Sequence, residues 1–198
     1  MHFKTLVSTS LLTGLLLAAP ASFAGWKLDN TASKLNFVSI KKSAIAEIHH
    51  FSHLTGSISD SGVAQIEIDL ASVQTNIDIR NERMQKMLFE TNVFPKASIM
   101  SQIDPVRLQK LRPGESFEVQ LPAKLSLHGQ TQAINPVLRV VKLRNNKVLV
   151  ATLSPIILNV ADYKLYQGVE KLKEIAGLPS IASAVPVTFS LTFNMERK

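Results

Sequence analysis

The chain has 198 residues, 45% of them hydrophobic and 19% charged, with a formal net charge of +7; this composition supports one domain with a buried core and excludes a disordered chain. It contains no cysteine, which excludes disulfides, a thiol nucleophile, cysteine-bound zinc, iron–sulfur clusters and a lipid anchor on an N-terminal cysteine.

Taken in chain order, the first segment has the anatomy of an export signal. Lys4 supplies a short positive region, Leu6 to Ala19 an apolar stretch, and Ser22-Phe23-Ala24 small residues at the −3 and −1 positions of a cut before Gly25. Thr9, Ser10, Thr13 and Pro20 interrupt the run, which falls short of the roughly 20 apolar residues of a membrane helix. Residues 1–24 are therefore expected to be a cleaved signal peptide. Residues 25–198 are expected to be a single domain working in a bacterial periplasm, where a chain without thiols has nothing to oxidise.

After Gly25 the hydrophobic pattern has period two, the signature of half-buried strands. Strands are predicted over 34–40, 44–59, 62–70, 73–79 and 96–105, with a turn at Asp60-Ser61-Gly62. The cleanest alternation puts Phe117, Val119, Leu121, Ala123, Leu125 and Leu127 on one face, with Pro122 marking an edge, bulge or bend. Further strands are predicted over 133–143, 148–153, 156–161 and 187–195, with a turn at Asn145-Asn146-Lys147. Two stretches break the alternation: 81–90, with Met84, Met87 and Leu88 at helical spacing, and 169–176, ended by Gly177 and Pro179. The expected fold is all-β, an antiparallel lipocalin-like barrel of about eight strands with one or two short helices. A transmembrane barrel fits less well: Trp26, Tyr163 and Tyr166 are the only amphipathic rings available for two interfacial girdles.

The order of several short motifs resembles the YceI-like family of exported polyisoprenoid-binding proteins. They are Trp26-Lys27-Leu28-Asp29, Ser33, Phe37, Leu54-Thr55-Gly56-Ser57-Ile58, Ser72-Val73-Gln74-Thr75, Ile79-Arg80-Asn81-Glu82, Phe89, Phe94-Pro95-Lys96-Ala97, Leu125-Ser126-Leu127-His128-Gly129-Gln130-Thr131 and Asp162-Tyr163. The family's commonest pattern has aspartate and histidine where this chain has Asn81 and Met84. The resemblance covers nearly all of 26–193. It implies a lipocalin-like barrel holding a long polyisoprenoid, such as an isoprenoid quinone tail, as ligand and not as a required cofactor.

On that reading Phe37, Phe51, Phe117, Leu125, Phe189 and Phe193 are expected to wall a tunnel, although alternation alone fits a filled core equally well. Residues 80–95 are the expected lid: Met84, Met87, Leu88, Phe89 and Phe94 supply adaptable apolar groups, and Arg80 a contact for a polar headgroup. A helix that merely plugs one barrel end gives the same pattern. In an extended segment Glu47, His49, Phe51 and His53 share one face, an arrangement compatible with a metal-dependent hydrolase or with a solvated polar face; no metal site is expected. His128, beside Gly129, is expected to be exposed.

The dispersed cations suit peripheral contact with an anionic membrane surface. They form no single stripe, since Arg139 and Lys142 face opposite ways on a regular strand, and no nucleic-acid reader motif accompanies them. No catalytic motif is present among GxSxG, GxGxxG, Walker and HExxH patterns. The expected function is non-covalent lipid binding, storage or transport. The alternatives are a structural or protein-interaction barrel with a filled core and, less favoured, the hydrolase.

Overall fold

The computed structural model describes residues 25–196, so the expected signal peptide lies outside the described residues. Within them, long alternating stretches bend wherever the ladder cannot continue. Gly25–Leu28 (β1) and Lys34–Lys41 (β2) are separated by a turn whose backbone Asp29 caps. Ile45–Phe51 (β3) and Leu54–Ser59 (β4) are separated at Ser52-His53, where the Ser52 and His53 amides donate to the Ser72 carbonyl and hydroxyl, respectively, and leave the strand. Val63–Asp69 (β5) passes through Leu70–Ser72 into the short Val73–Gln74 (β6), and Lys96–Gln102 (β7) is unbroken.

Prolines make the remaining breaks, because they bring no donor to a ladder. Pro122 divides Ser116–Gln120 (β8) from Ala123–Leu127 (β9), and Pro136 divides Gln130–Ile134 (β10) from Val137–Lys142 (β11). Pro155 lies between Lys147–Thr152 (β12) and Ile156–Asn159 (β13). Ala184–Glu196 (β14) runs straight for 13 residues and pairs β13 and β12 on one side, β2 and β1 on the other.

The fold is all-β and antiparallel, as expected, but the described residues form fourteen strands instead of about eight. The bends account for the difference: rejoined across them, the segments form eight long strands. The hydrogen-bonded ladder is not a closed ring. Its path runs β10-β9-β7-β5-β4-β1-β14-β12-β11-β8. The chain itself spans the gap, since β8 leads into β9 and β10 into β11, and the Leu121 amide donates to the Pro136 carbonyl at 3.0 Å between the two bends.

Three helices complete the fold. Asp78–Arg83 (α1) continues into a π-helical turn, Met84–Leu88, so the predicted helix starts earlier than residue 81. The strand predicted over 73–79 ends at Gln74, because Asn81 reaches back: its Oδ1 accepts from the Thr75 amide at 2.9 Å and from the Thr75 hydroxyl at 2.6 Å. Pro105–Lys110 (α2) was not anticipated, although Asp104-Pro105 is a recognisable start: the aspartate caps Val106 and Arg107, and proline occupies the first turn. Tyr166–Ile175 (α3) agrees with the predicted second helix.

The bends also separate a solid half of the barrel from a hollow one. Trp26, Leu28, Ile58, Leu138, Val140, Val148, Val150, Leu191 and Phe193 fill the half built from β1, β4, β11, β12 and the C-terminal part of β14. Lys142 plugs that half, with its ammonium 4.2 Å from the Trp26 ring centroid and its pKa lowered by burial. Arg139 points the other way, to Glu118, as alternation required. Beyond the bends, β2, β3, β9, β10, β13 and the N-terminal part of β14 surround open space.

Candidate functional site: an apolar cavity with a polar mouth

The hollow half encloses a cavity of about 380 Å³, within the usual range of ligand pockets. Its wall is overwhelmingly aliphatic and aromatic. Inward residues of β2 and β3 form successive tiers, set by the register pairs Ser39–Glu47 and Phe37–His49, with Lys41 towards the mouth and Leu35 and Phe51 deeper in. Phe37, Phe51 and Phe89 make a continuous aromatic wall, with ring centroids 5.4 and 5.7 Å apart.

Of the residues expected to contact a ligand, Phe37, Phe51, Arg80, Met84, Leu88, Phe89, Leu125 and Phe189 line this space. The other four do not. Phe193 is 2% exposed in the solid half, beyond the bend. Phe117 is on β8 in the same half, and the Arg107 guanidinium lies 3.8 Å over its ring. Phe94 packs on His128 outside the cavity, at 4.4 Å between ring centroids. Met87 is outside the wall, and its backbone carbonyl would be 2.7 Å from a Cβ at Gly168 on α3. That approach requires glycine. It lets α3 lie directly on the π-turn, and the two helices together roof the cavity.

The roof contains wall residues that the sequence reading did not assign to the site: Val169 and Leu172 of α3, Ala176 at its C-cap, then Leu178 and Ile181 in the segment after it. Their helical spacing was legible, but not their position over an open barrel end. His128 also differs from expectation. Its side chain is 11% exposed, with Nε2 2.9 Å from the Glu90 carboxylate and Nδ1 3.2 Å from the Tyr163 carbonyl, both acceptors, at a residue whose φ is 50°.

One polar cluster interrupts the wall near the mouth. Glu47 accepts from Lys41 at 2.9 Å and from Arg80 Nη1 at 2.8 Å, and Arg80 Nη2 donates to the Thr75 carbonyl at 2.7 Å. Burial opposes the charge on Glu47, but the hydrogen bond from Lys41 and the Arg80 and Lys41 charges more than offset it and hold the carboxyl below its usual range. His49 is 3% exposed, edge-on to Phe37 at 5.3 Å. Burial, and next the Arg80 charge, push its pKa below the ordinary 6.5. The Nδ1 of His49 and the Nε of Arg80 have no hydrogen-bond partner.

The face shared by Glu47, His49 and Phe51 is the inner wall, but His53 falls at the strand break and is exposed beside Asp69, 3.8 Å away. Among the described residues no group of three ligating side chains is placed to hold a metal ion.

The depressed His49 pKa has a measurable consequence. Between the folded pKa and 6.5 the unfolded chain binds the proton that the folded chain refuses, so stability rises with pH through this window. Acidification from pH 7 towards pH 5 is expected to destabilise the protein, and His49→Phe is expected to flatten that slope in denaturant titrations. An equal slope in both proteins would contradict the assignment.

A family model for the YceI-like domain matches residues 26–193. Among solved structures, the chain is similar to a polyisoprenoid binding domain from Saccharophagus degradans implicated in plant cell wall breakdown. Identity is 42%, coverage 86% of this chain and 98% of that one, and the TM-score 0.85. Burkholderia cenocepacia BcnA is similar in fold at 19% identity, covering 83% of this chain and 98% of its own, with a TM-score of 0.64. Comparison with curated proteins finds no match.

Proposed function

Because this chain belongs to the YceI-like domain family, we propose that it binds one long-chain polyisoprenoid or related lipid, non-covalently, in the hollow half of its barrel. The observation that carries this reading is the apolar cavity of about 380 Å³ beneath the two helices. The Saccharophagus degradans relative is described as a polyisoprenoid binding domain, which supports the same class of ligand. The driving force is removal of the tail from water, about 0.8 kcal/mol for each buried CH₂, and it needs no catalytic group. A structural barrel with a filled core fits poorly, since only one half is filled.

Entry requires movement of the roof. Residues 80–95 carry one helix of it, and the π-turn at Met84–Leu88 has the looser i to i+5 bonding seen in the Phe89 amide donating to the Met84 carbonyl at 2.9 Å. The protein would act in the periplasm as a carrier or reservoir, collecting its lipid from a membrane surface. Each mouth element presents an exposed isoleucine: Ile45 at the hairpin tip, Ile79 on α1 and Ile175 at the end of α3. Lys41, Lys42 and Arg83 stand beside them, while Asp78, Glu82 and Glu174 on the helices keep the net attraction modest, so the isoleucines carry much of the contact. Co-sedimentation with vesicles containing phosphatidylglycerol is expected to fall several-fold on replacing the three isoleucines by serine. Equal sedimentation would remove this docking face.

Native mass spectrometry after gentle purification tests the main reading. A protein carrying a prenyl-lipid mass, or taking one up from detergent, is the expected result. A reproducibly ligand-free protein that also refuses prenyl lipids would overturn it.

A further inference from the structure

Three segments around the roof converge on one imidazole ring. His128 is in the turn between β9 and β10, Glu90 closes the segment that carries the π-turn, and Tyr163 ends the turn Val160–Tyr163 that leads into α3. The Nε2 of His128 is 2.9 Å from the Glu90 carboxylate, and its Nδ1 is 3.2 Å from the Tyr163 carbonyl. Both partners are acceptors. A neutral imidazole has one N–H, so either tautomer leaves a lone pair facing an oxygen, and only the doubly protonated ring donates to both. We propose that His128 is a proton-dependent clamp on the roof: doubly protonated, it ties both roof helices to the β9–β10 turn, and neutral, it lets them part. The proposal rests on the lipid-binding reading above and supplies its regulation.

The backbone on all three sides is shaped around this contact. Glu90, His128 and Lys164 have φ of 49°, 50° and 55°, a left-handed conformation uncommon for residues with a Cβ. At Glu90 it accompanies a tight turn, in which the carbonyl accepts from the Val93 and Phe94 amides at 2.8 and 2.9 Å. That turn returns Phe94 to the imidazole, 4.4 Å away between ring centroids. A Cβ at Gly129, whose own φ is 72°, would stand 3.0 Å from the Phe94 ring, so the cover depends on glycine beside His128. At Lys164 the left-handed residue ends the turn Val160–Tyr163, its amide donating to the Ala161 carbonyl at 3.2 Å. The His128 side chain is left 11% exposed and that of Glu90 50%. The ring therefore has little water to replace a lost partner, whereas the carboxylate can swing into solvent once the contact fails.

Few other titratable groups surround the ring. The lid segment brings Glu90, and the turn before α3 brings Asp162, Tyr163 and Lys164, of which Asp162 and Lys164 are exposed. Beyond Phe94, Lys96 is held by Glu67 at 2.8 Å. The strands β9 and β10 carry one charge, Lys124, whose register partner is Ala133. Histidine changes charge within the physiological range. The clamped roof keeps a proton that the parted roof releases, so a falling pH closes the clamp and a rising pH opens it. His49 acts on global stability in the opposite sense, because burial disfavours its charged form. A measurement confined to the roof separates the two.

Hydrogen–deuterium exchange of the full chain, corrected for the intrinsic rate at each pH, reads the roof directly. Amides of residues 84–95 and 160–176 are expected to lose about tenfold in protection between about pH 5.5 and about pH 8, relative to those of β5 and β7, as loss of one charge-assisted hydrogen bond provides. His128→Gln, whose amide has one donating and one accepting end, is expected to show the low protection at both pH values. Glu90→Gln is expected to show the high protection at both, since its carboxamide can donate to a neutral ring and accept from a charged one. A merely structural contact would weaken in both variants alike. Release of preloaded geranylgeraniol into phosphatidylcholine vesicles is expected to quicken several-fold over the same range. Equal wild-type protection at the two pH values, or an unchanged pH dependence in either variant, would overturn the clamp. A release rate indifferent to pH would overturn its hold on the lipid. If geranylgeraniol never loads, the lipid-binding reading falls, and the exchange pattern still decides the clamp.

Discussion

Phe193→Ala is expected to lower the unfolding free energy by about 3–5 kcal/mol, the usual cost of emptying a fully packed aromatic site. Phe193 is 2% exposed, and its register partners are Leu28 on β1 and Val148 on β12, themselves 8% and 0% exposed. Neither neighbour can collapse into the void without disturbing the ladder. The same change at Phe189, four residues earlier on β14, is expected to cost less, because that ring already borders empty space. Urea unfolding separates the two. Lipid uptake well below the melting temperature is expected to persist in Phe193→Ala, since its site lies outside the cavity wall. Equal stability losses at both positions would contradict the division into a solid and a hollow half.

Leu125→Trp is expected to have the opposite profile. Leu125 is 5% exposed on β9, opposite Ile99 and Gln132 in the ladders, and its side chain lines the cavity. In a filled core an added indole costs about 1–3 kcal/mol through displaced neighbours. Here it has unfilled space to enter, so the melting temperature is expected to change little while prenyl-lipid loading, followed by native mass spectrometry, falls sharply. A variant that unfolds readily would argue for a tight core at this point. One that loads lipid normally would place the cargo elsewhere.

Strand content, alternation and the turns at Asp60-Ser61-Gly62 and Asn145-Asn146-Lys147 were legible because each depends on side-chain periodicity or on residues that tolerate tight turns. Asn145 and Asn146 indeed both have positive φ. Pro122 was legible as an interruption, and it does divide β8 from β9. The break at Ser52-His53 was not, since the hydroxyl and carbonyl that draw those amides away belong to Ser72, about twenty positions on. The start of α1 was misplaced for a similar reason: the Asn81–Thr75 contacts, and not local propensity, end the preceding strand.

Alternation assigned Phe37, Phe189 and Phe193 alike to an inward face, but it could not separate Phe193, in the solid half, from the two that line the cavity. Periodicity states which side of a strand is apolar and is silent on whether the side chains opposite reach far enough to meet it. The sequence by itself determined an antiparallel all-β domain and its family likeness, because local pattern and motif order carry those. Only the tertiary structure decided that one half of the barrel is packed and the other open, that α3 closes the roof through Gly168, and that His49 faces inward unpaired. Each of these depends on distances between segments far apart in the chain.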